Sequence, residues 1–229
     1  MRRFPAMIVA LALLLAIAPG AFAANTNPFR YADVGDTVLF GSYEQDDNPY
    51  NGAEDISWLV LAREKDRMLV ISEYALDCQP YNTKYAELTW ERCSLRRWLN
   101  ESFLNNAFSY GEQTLILVSQ LSADKNPEYK QSDPGKATYD MIFVLSIKEI
   151  GRYFDSDYAR FCRPTAYAVE QGCKVYPDIK TCWWWTRTPG CDNYYATDVR
   201  GDGSFNYIGS DADRDYLCVR PAMWIDLTV

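Results

Sequence analysis

The end of the chain holds side chains whose types and spacing suit ligand recognition. Trp183, Trp184 and Trp185 follow one another, and Arg187 lies two residues further on. An indole ring offers a large apolar face at small entropic cost, and an arginine fork grips a carboxylate through two parallel hydrogen bonds. The pattern predicts a binding surface that includes Trp184 and Arg187.

Two structural alternatives compete with this interpretation. Tryptophan is mostly buried in folded proteins, so all three rings can belong to the core. Arg187 and Arg220 lie on two predicted neighbouring strands, and either can hold a ligand carboxylate or form a buried ion pair that ties the strands together. The candidate partners of such a pair are Asp192, Asp198 and Asp226.

Tyrosine, asparagine and aspartate cluster in the predicted turns around these strands. Such residues are common in recognition loops and also in ordinary turns. Together with Trp184 and Arg187, the predicted ligand-binding residues are Asp192, Asn193, Tyr195, Asp202, Asn206 and Tyr207.

An acidic run, Asp211-x-Asp213-x-Asp215, offers spaced carboxylates that could hold Ca²⁺. It is no EF-hand loop, because Tyr216 stands where the invariant glycine belongs and Ala222 where the closing glutamate belongs. The alternative is a solvated acidic loop. No other cofactor is predicted.

The chain contains seven cysteines and no histidine. In an exported protein most of them are expected in disulfides, which leaves one odd thiol. The Cys78–Cys93 pair, on either side of a short loop, is the expected local bridge. A Cys162–Cys173 bridge is excluded by a predicted helix between the two residues, and a direct Cys182–Cys191 bridge is doubtful. The disulfide candidates are Cys78, Cys93, Cys162, Cys173, Cys182, Cys191 and Cys218.

The N-terminus has the three parts of a secretory signal. Arg2 and Arg3 precede an apolar run, and Ala21-Phe22-Ala23 is a small-x-small cleavage site. We therefore predict a signal peptide over residues 1–23 and a single globular domain over 24–229. The protein is expected to be secreted, periplasmic or on the cell surface, with no membrane span after cleavage.

Composition narrows the function classes. The formal net charge of −8 opposes binding to phosphate backbones, so nucleic acid is not an expected partner. The absence of histidine excludes Ser-His-Asp and Cys-His catalysis and His-ligated metal sites. An enzyme would have to use carboxylates or a reactive cysteine.

Strands, helices and strands follow one another in blocks, which is typical of one α+β domain. Helices are predicted from Ser94 to Phe103, from the capping box at Ser109, from the capping box at Ser146, and after Pro164. The predicted strands span residues 36–43, 56–62, 68–72, 141–145, 196–199, 204–208, 218–220 and 222–227.

Four motifs together resemble an uncharacterised family of bacterial exported domains. They are YALDC at 74–78, WERCSLRRWLN at 90–100, CWWWTRTPG at 182–190 and VRPAMWI at 219–225. The resemblance covers Val34 to Leu227. The layout of the C-terminal half is similar to the C-type-lectin-like fold of formylglycine-generating enzymes and bacterial ligand-display proteins, which implies a binding region built from a Trp-bearing strand, loops and a closing terminal strand. The lectin calcium triplet and the copper-site cysteine pair have no counterpart here.

These observations favour an extracellular module that binds a glycan, peptide or protein. The alternatives are an exported enzyme that uses carboxylates or a reactive cysteine, and a structural protein of the cell envelope.

Overall fold

The computed structural model describes residues 27–228, so the predicted signal peptide lies outside the described residues. Antiparallel strands and a few short helices alternate in blocks along the chain, which confirms the predicted single α+β domain. The strands are β1 (Thr37–Tyr43), β2 (Glu54–Arg63), β3 (Arg67–Ser72), β4 (Asp77–Cys78), β5 (Ile116–Leu117), β6 (Ser119–Leu121), β7 (Thr138–Asp140), β8 (Trp184–Pro189), β9 (Tyr195–Val199), β10 (Phe205–Asp211), β11 (Cys218–Val219) and β12 (Ala222–Asp226).

The first sheet has the order β1-β2-β3-β12-β5, and all of its neighbouring strands are antiparallel. Alternation in β2 turns Ile56, Trp58 and Val60 into the core, as expected of a strand with one covered face. β3 forms a hairpin with β2, and its last five residues are all buried. The predicted strands at 56–62 and 68–72 are confirmed.

The second sheet has the order β10-β9-β8-β11-β4. Only the β8–β11 pair is parallel. Every residue of β8 is buried because both faces of this strand are covered. β11 belongs to this sheet and β12 to the first one, so the chain changes sheets at Arg220-Pro221. Pro221 has no amide hydrogen to continue the ladder, which is consistent with the break at this point. β6 and β7 form a separate two-stranded sheet.

The helices are short. They are α1 (Ser94–Trp98), α2 (Leu104–Ala107), α3 (Tyr110–Gln113), α4 (Ile147–Tyr153) and α5 (Ala166–Glu170), with a π-helical turn (Leu99–Phe103) joining α1 to α2 and 3-10 turns at Trp90–Arg92 and Tyr158–Arg160.

Local capping signals determine where several helices begin. Both predicted capping boxes are present, with Ser109 and Glu112 at α3 and Ser146 and Glu149 at α4. The cap of α1 is the Cys93 sulfur, which accepts from the Arg96 amide, and not the predicted Ser94.

Two predicted elements differ from the structure. Residues 142–145 are buried and Met141 is half-buried, but the segment does not form a strand, because its only ladder contact within the described chain is an isolated bridge from Phe143 to Ala222. The predicted helix from Ser109 to Val118 ends at Gln113, and Ile116-Leu117 pairs instead with β12 as β5. In both segments buried apolar residues fit helix, strand and irregular chain equally well.

Over the described part of the chain, no helix combines the length and apolar character needed to cross a membrane.

Candidate functional site

A cavity of about 620 Å³ opens where the two large sheets meet. We call it the Arg220 cavity. Its volume falls in the range typical of small-molecule sites. The residues that give it its character are Tyr74, Tyr158, Phe161, Arg163, Lys180 and Arg220.

Arg220 is the buried base of this cavity, with 3% of the residue exposed. Its Nε donates to the Ser72 carbonyl oxygen at 2.9 Å. Its Nη1 is buried and has no hydrogen-bond partner. The guanidinium carbon lies 5.2 Å from the ring centroid of Trp184 and 5.4 Å from that of Phe154. Two aromatic faces therefore hold the charged group in place.

No carboxylate within the described residues forms an ion pair with Arg220. A buried charge without a partner costs several kcal/mol in lost hydration. Buried arginines are therefore normally paired, and an unpaired one that lines a cavity is suited to receive an anion from outside.

Two further cations, Arg163 and Lys180, line the same cavity and are exposed. Neither forms an ion pair in the described range 27–228. The acids of the lining are Glu73 and Asp178, and the Glu73 carboxylate accepts a 2.6 Å hydrogen bond from Ser57 Oγ. Three cations against two acids make the lining cationic, although the chain as a whole carries −8.

Aromatic rings form the opening of the cavity. Tyr158 is 79% exposed and Tyr74 is 39% exposed. The Tyr158 and Phe161 ring centroids lie 5.1 Å apart. Exposed tyrosine rings beside polar groups are suited to sugar faces and to peptide side chains.

The turn between β9 and β10 fixes two walls of the cavity. Arg160 Nε donates to the Gly203 carbonyl at 2.7 Å, and Thr181 Oγ1 donates to the Gly201 carbonyl at 2.6 Å. Gly203 has φ of 79°, and a Cβ there would collide with the backbone of Asp157. The predicted Gly201-Asp202-Gly203 turn is therefore present, and its glycines are needed for close packing against the cavity wall.

Lys180 also has a left-handed backbone, with φ of 58°. This conformation is unfavourable for a residue with a Cβ by about 1 kcal/mol or more. The turn is held by the Lys180 amide, which donates to the Tyr176 carbonyl at 2.8 Å. The backbone thus places this lysine at the cavity at an energetic cost.

The structure places Trp184 and Arg187 in the core and not on a binding surface. Trp184 is fully buried, and its Nε1 donates to the Arg160 carbonyl. Its ring supports Arg220 rather than facing solvent. Trp185 is also fully buried and Trp183 is half-buried, so the packing alternative describes most of the tryptophan run.

Arg187 forms a structural ion pair, as in the second alternative of the sequence analysis, but its partner is not one of the three expected aspartates. It forms a two-pronged contact with Glu149, and its Nη1 also donates to the Val144 carbonyl at 3.1 Å. Asp124 lies 3.8 Å away. None of the three expected aspartates pairs with it.

Asp192 and Asn193 stabilise the loop that contains them. Asp192 accepts from the Tyr194 amide at 2.8 Å, and Asn193 donates to the carbonyls of Leu88 and Asp133. Half-buried Tyr195 lies beside Tyr85. The pKa of Tyr85 is raised, first by desolvation and second by a hydrogen bond with Tyr195.

Asp202 lies in the turn between β9 and β10, whereas Asn206 and Tyr207 lie at a second, more open depression. Asp202 accepts from the amide and hydroxyl of Ser204, which closes the turn. Asn206 and Tyr207 line a depression of about 460 Å³ together with Arg200. Arg200 already donates to Asn206 Oδ1 at 3.1 Å, so this depression has no cation free of a partner comparable to Arg220.

The sequence interpretation named Arg220 as a possible carboxylate ligand but left it out of the predicted site. It also missed the residues that surround it, which are Tyr74, Tyr158, Phe161, Arg163 and Lys180. They lie on three segments distant in sequence, and no local pattern connects them. Only their composition, an exposed mixture of aromatic and basic residues, hinted at a shared surface.

The cysteine pattern differs from the expectation. The disulfide within the described chain joins Cys173 to Cys218, with Cα atoms 6.0 Å apart. The expected Cys78–Cys93 bridge is wrong, because both are free, buried thiols. Burial raises the pKa of each to about 12. The free thiols are Cys78, Cys93, Cys162, Cys182 and Cys191.

The predicted acidic run does not gather its carboxylates, since Asp211 forms an ion pair with Arg214. Another acidic group, Glu44, Asp46 and Glu54, has oxygens within 4.8 Å of one another. All three accept hydrogen bonds from the backbone amides of their own loop, which is sufficient reason for their arrangement.

Fold and cavity together define a single-domain α+β protein with an unpaired buried arginine at the junction of two sheets. Residues 65–227 match the family described as domain of unknown function DUF6273, and the chain belongs to this family. No curated protein and no solved structure matches the chain. The matched segment includes every residue named above for the Arg220 cavity.

Proposed function

We propose that this protein is an extracellular ligand-binding module that holds the carboxylate of a glycan or peptide in the Arg220 cavity. The observation that carries the proposal is the buried Arg220 guanidinium, which has a free Nη1 and no ion pair among residues 27–228. A ligand carboxylate would supply the missing charge and hydrogen bonds.

The surroundings of Arg220 support a carboxylate rather than a neutral ligand. Arg163 and Lys180 add positive charge, which attracts anions and raises their local concentration. The exposed rings of Tyr74 and Tyr158 offer apolar faces beside the charged group. A uronic acid, a sialic acid and a peptide C-terminus each combine a carboxylate with apolar groups that can pack on these rings.

Export of the module and a C-type-lectin-like arrangement of its loops belong to the same proposal. The signal-like N-terminus supports export. The cavity walls at 158–163 and 178–181 come from loops of the C-terminal half, and Leu59, Glu73 and Tyr74 add a wall from the first half.

Calorimetric titration of the full secreted chain tests the proposal with paired ligands. Uronic-acid oligosaccharides are compared with their neutral methyl esters, and peptides with a free C-terminus are compared with C-terminal amides. We expect each acid to bind at least about tenfold more tightly than its neutral partner, because a site built around a charge rejects a ligand that leaves it unpaired.

The Arg220→Lys variant keeps the charge but removes the planar fork. It should lose about tenfold or more in affinity for the acid ligand. Arg92→Gln removes an exposed cation outside the cavity and serves as the control, with unchanged affinity expected. Equal binding of acids and neutral partners, or no binding of any acid on a broad glycan and peptide panel, would contradict the proposal.

A further inference from the structure

Four cysteine side chains converge inside the second sheet. The sulfurs of Cys173, Cys182 and Cys218 all lie within 4.8 Å of one another, and the Cys182 thiol donates to the Cys162 carbonyl at 3.5 Å. All four residues are buried, with exposures between 0 and 7%. We call these residues the cysteine centre. It contains one disulfide, Cys173–Cys218, and two thiols.

Backbone pairing brings these distant residues together. The Cys182 amide donates to the Cys162 carbonyl at 2.9 Å, and the Cys218 amide donates to the Trp183 carbonyl at 2.8 Å. Val175, two residues after Cys173, forms a bridge with Cys182. Backbone hydrogen bonds therefore hold the Cys182 thiol beside the Cys173–Cys218 disulfide.

We propose that the cysteine centre is a thiol–disulfide exchange site, in which one disulfide can move between the Cys173–Cys218 pair and the Cys162–Cys182 pair. Exchange requires a thiol within reach of a disulfide sulfur, and Cys182 meets this requirement. The inference does not depend on carboxylate binding at Arg220.

The chemistry balances without an external oxidant. Cys182 passes its proton to Cys162, and its thiolate attacks the Cys218 sulfur. The Cys182–Cys218 bond forms as the Cys173–Cys218 bond breaks, and the electron pair leaves on Cys173.

The second exchange completes the transfer. Cys162 gives its proton to the Cys173 thiolate and then attacks Cys182. The Cys162–Cys182 bond forms, the Cys182–Cys218 bond breaks, and the electron pair leaves on Cys218. Two thiols have been oxidised and one disulfide has been reduced.

The pKa values of the two thiols are shifted in opposite directions. Burial opposes ionisation of Cys162, but a hydrogen bond from the Cys182 thiol and the positive charge of Arg220 bring its pKa below the ordinary value. Burial and the Cys162 partner raise the pKa of Cys182 well above the ordinary value. Cys162 is thus the member of the pair that ionises and Cys182 the member that stays protonated, so the attack by Cys182 requires the Cys162 thiolate to accept its proton against this difference in pKa.

The neighbouring thiol Cys78 is not included. Its sulfur contacts the carbonyl oxygens of Asp215 and Leu217, and desolvation raises its pKa to about 12. Both effects keep it as a thiol.

Disulfide mapping of the full secreted chain tests the exchange. The chain is reduced and then reoxidised with limiting oxidised glutathione, and molecules with one disulfide are isolated. Acid denaturation stops exchange by protonating thiolates, and alkylation before peptide mass spectrometry then identifies the bonded residues. We expect Cys162–Cys182 and Cys182–Cys218 peptides beside those of Cys173–Cys218.

The Cys173→Ser variant removes the resident bridge and gives a second readout that does not depend on the stability of the first. In it, Cys182 should change from a minor to the major disulfide partner, bonded to Cys218 or Cys162. Cys191→Ser removes a thiol outside the cysteine centre and should leave the mapping unchanged. Recovery of Cys182 as a free thiol in both the wild-type chain and Cys173→Ser would overturn the proposal, and its recovery in a disulfide in either would support it.

Discussion

The two buried arginines of the second half of the chain have opposite surroundings. Arg187 and Arg220 are 4% and 3% exposed. Arg187 is held by Glu149, with Asp124 nearby and the Val144 carbonyl as a further acceptor. Arg220 has one protein acceptor, the Ser72 carbonyl, two aromatic faces and an open cavity.

This difference indicates that Arg187 stabilises the fold, whereas Arg220 is suited to bind a ligand anion. The Arg187 charge is balanced inside the fold, and Glu149 also caps α4, so the pair joins a helix to β8. No carboxylate of the described chain pairs with Arg220. A buried cation without an ion-pair partner in the fold is expected at a site where a ligand supplies the opposite charge.

Breaking the Arg187 pair should have the largest effect. The Arg187→Met variant leaves the Glu149 carboxylate half-buried beside a missing cation, and we expect a loss of about 3–5 kcal/mol in the free energy of unfolding. Urea denaturation measures it. Arg67→Met, which breaks the exposed Arg67–Glu64 pair, should cost less than about 1 kcal/mol. Equal losses in the two variants would show that Arg187 is not a structural charge.

A buried carboxylate that forms no ion pair within the described residues gives a second comparison, on the acidic side. Asp198 accepts hydrogen bonds from Ser210 and Asn206, but desolvation still raises its pKa to about 7. The unfolded value is about 3.9, so the native state binds the additional proton. The stability that this proton contributes is therefore fully present below about pH 4 and is lost as the pH rises through 7.

Asp198→Asn should remove this dependence. Between pH 4 and pH 8 we expect the wild-type chain to lose on the order of 2–4 kcal/mol relative to the variant, measured by urea denaturation across the pH range. The exposed Asp213→Asn variant is the control and should follow the wild-type profile. Parallel profiles for Asp198→Asn and the wild type would contradict the raised pKa.

Removing Arg220 should affect stability much less than removing Arg187. Arg220→Met loses one hydrogen bond to Ser72 but also removes an uncompensated buried charge, so we expect a change of less than about 1.5 kcal/mol. Binding of an acid ligand should nevertheless be lost. A loss of stability as large as that of Arg187→Met would show that Arg220 stabilises the fold in the same way as Arg187.

Neutralising the exposed cations should have the smallest effect. Arg163→Gln and Lys180→Gln should each weaken binding of an acid ligand about threefold and reduce its salt dependence, because exposed charges mainly steer the approach of the ligand. Stability should stay within about 0.5 kcal/mol of the wild type. Calorimetry at two salt concentrations measures the first effect. Unchanged affinity in both variants would restrict the charge requirement to Arg220.

Much of the fold was predictable because its signals are local. The capping boxes at Ser109 and Ser146 set the starts of α3 and α4, and the glycine-rich turn before Ser204 sets the β9–β10 hairpin. The 141–145 segment was mispredicted because an apolar run is compatible with several conformations. Trp184, which the sequence placed on a binding surface, is fully buried and packs against Arg220.

By itself the sequence determined the α+β class, most of the strands and the starts of α3 and α4, because each depends on residues a few positions apart. The tertiary structure alone decided which arginine is paired, which cysteines meet and where the cavity opens. Arg187 meets Glu149 across 38 residues, and Cys173 meets Cys218 across 45. Such contacts arise when elements distant in sequence pack together, and no spacing along the chain predicts them.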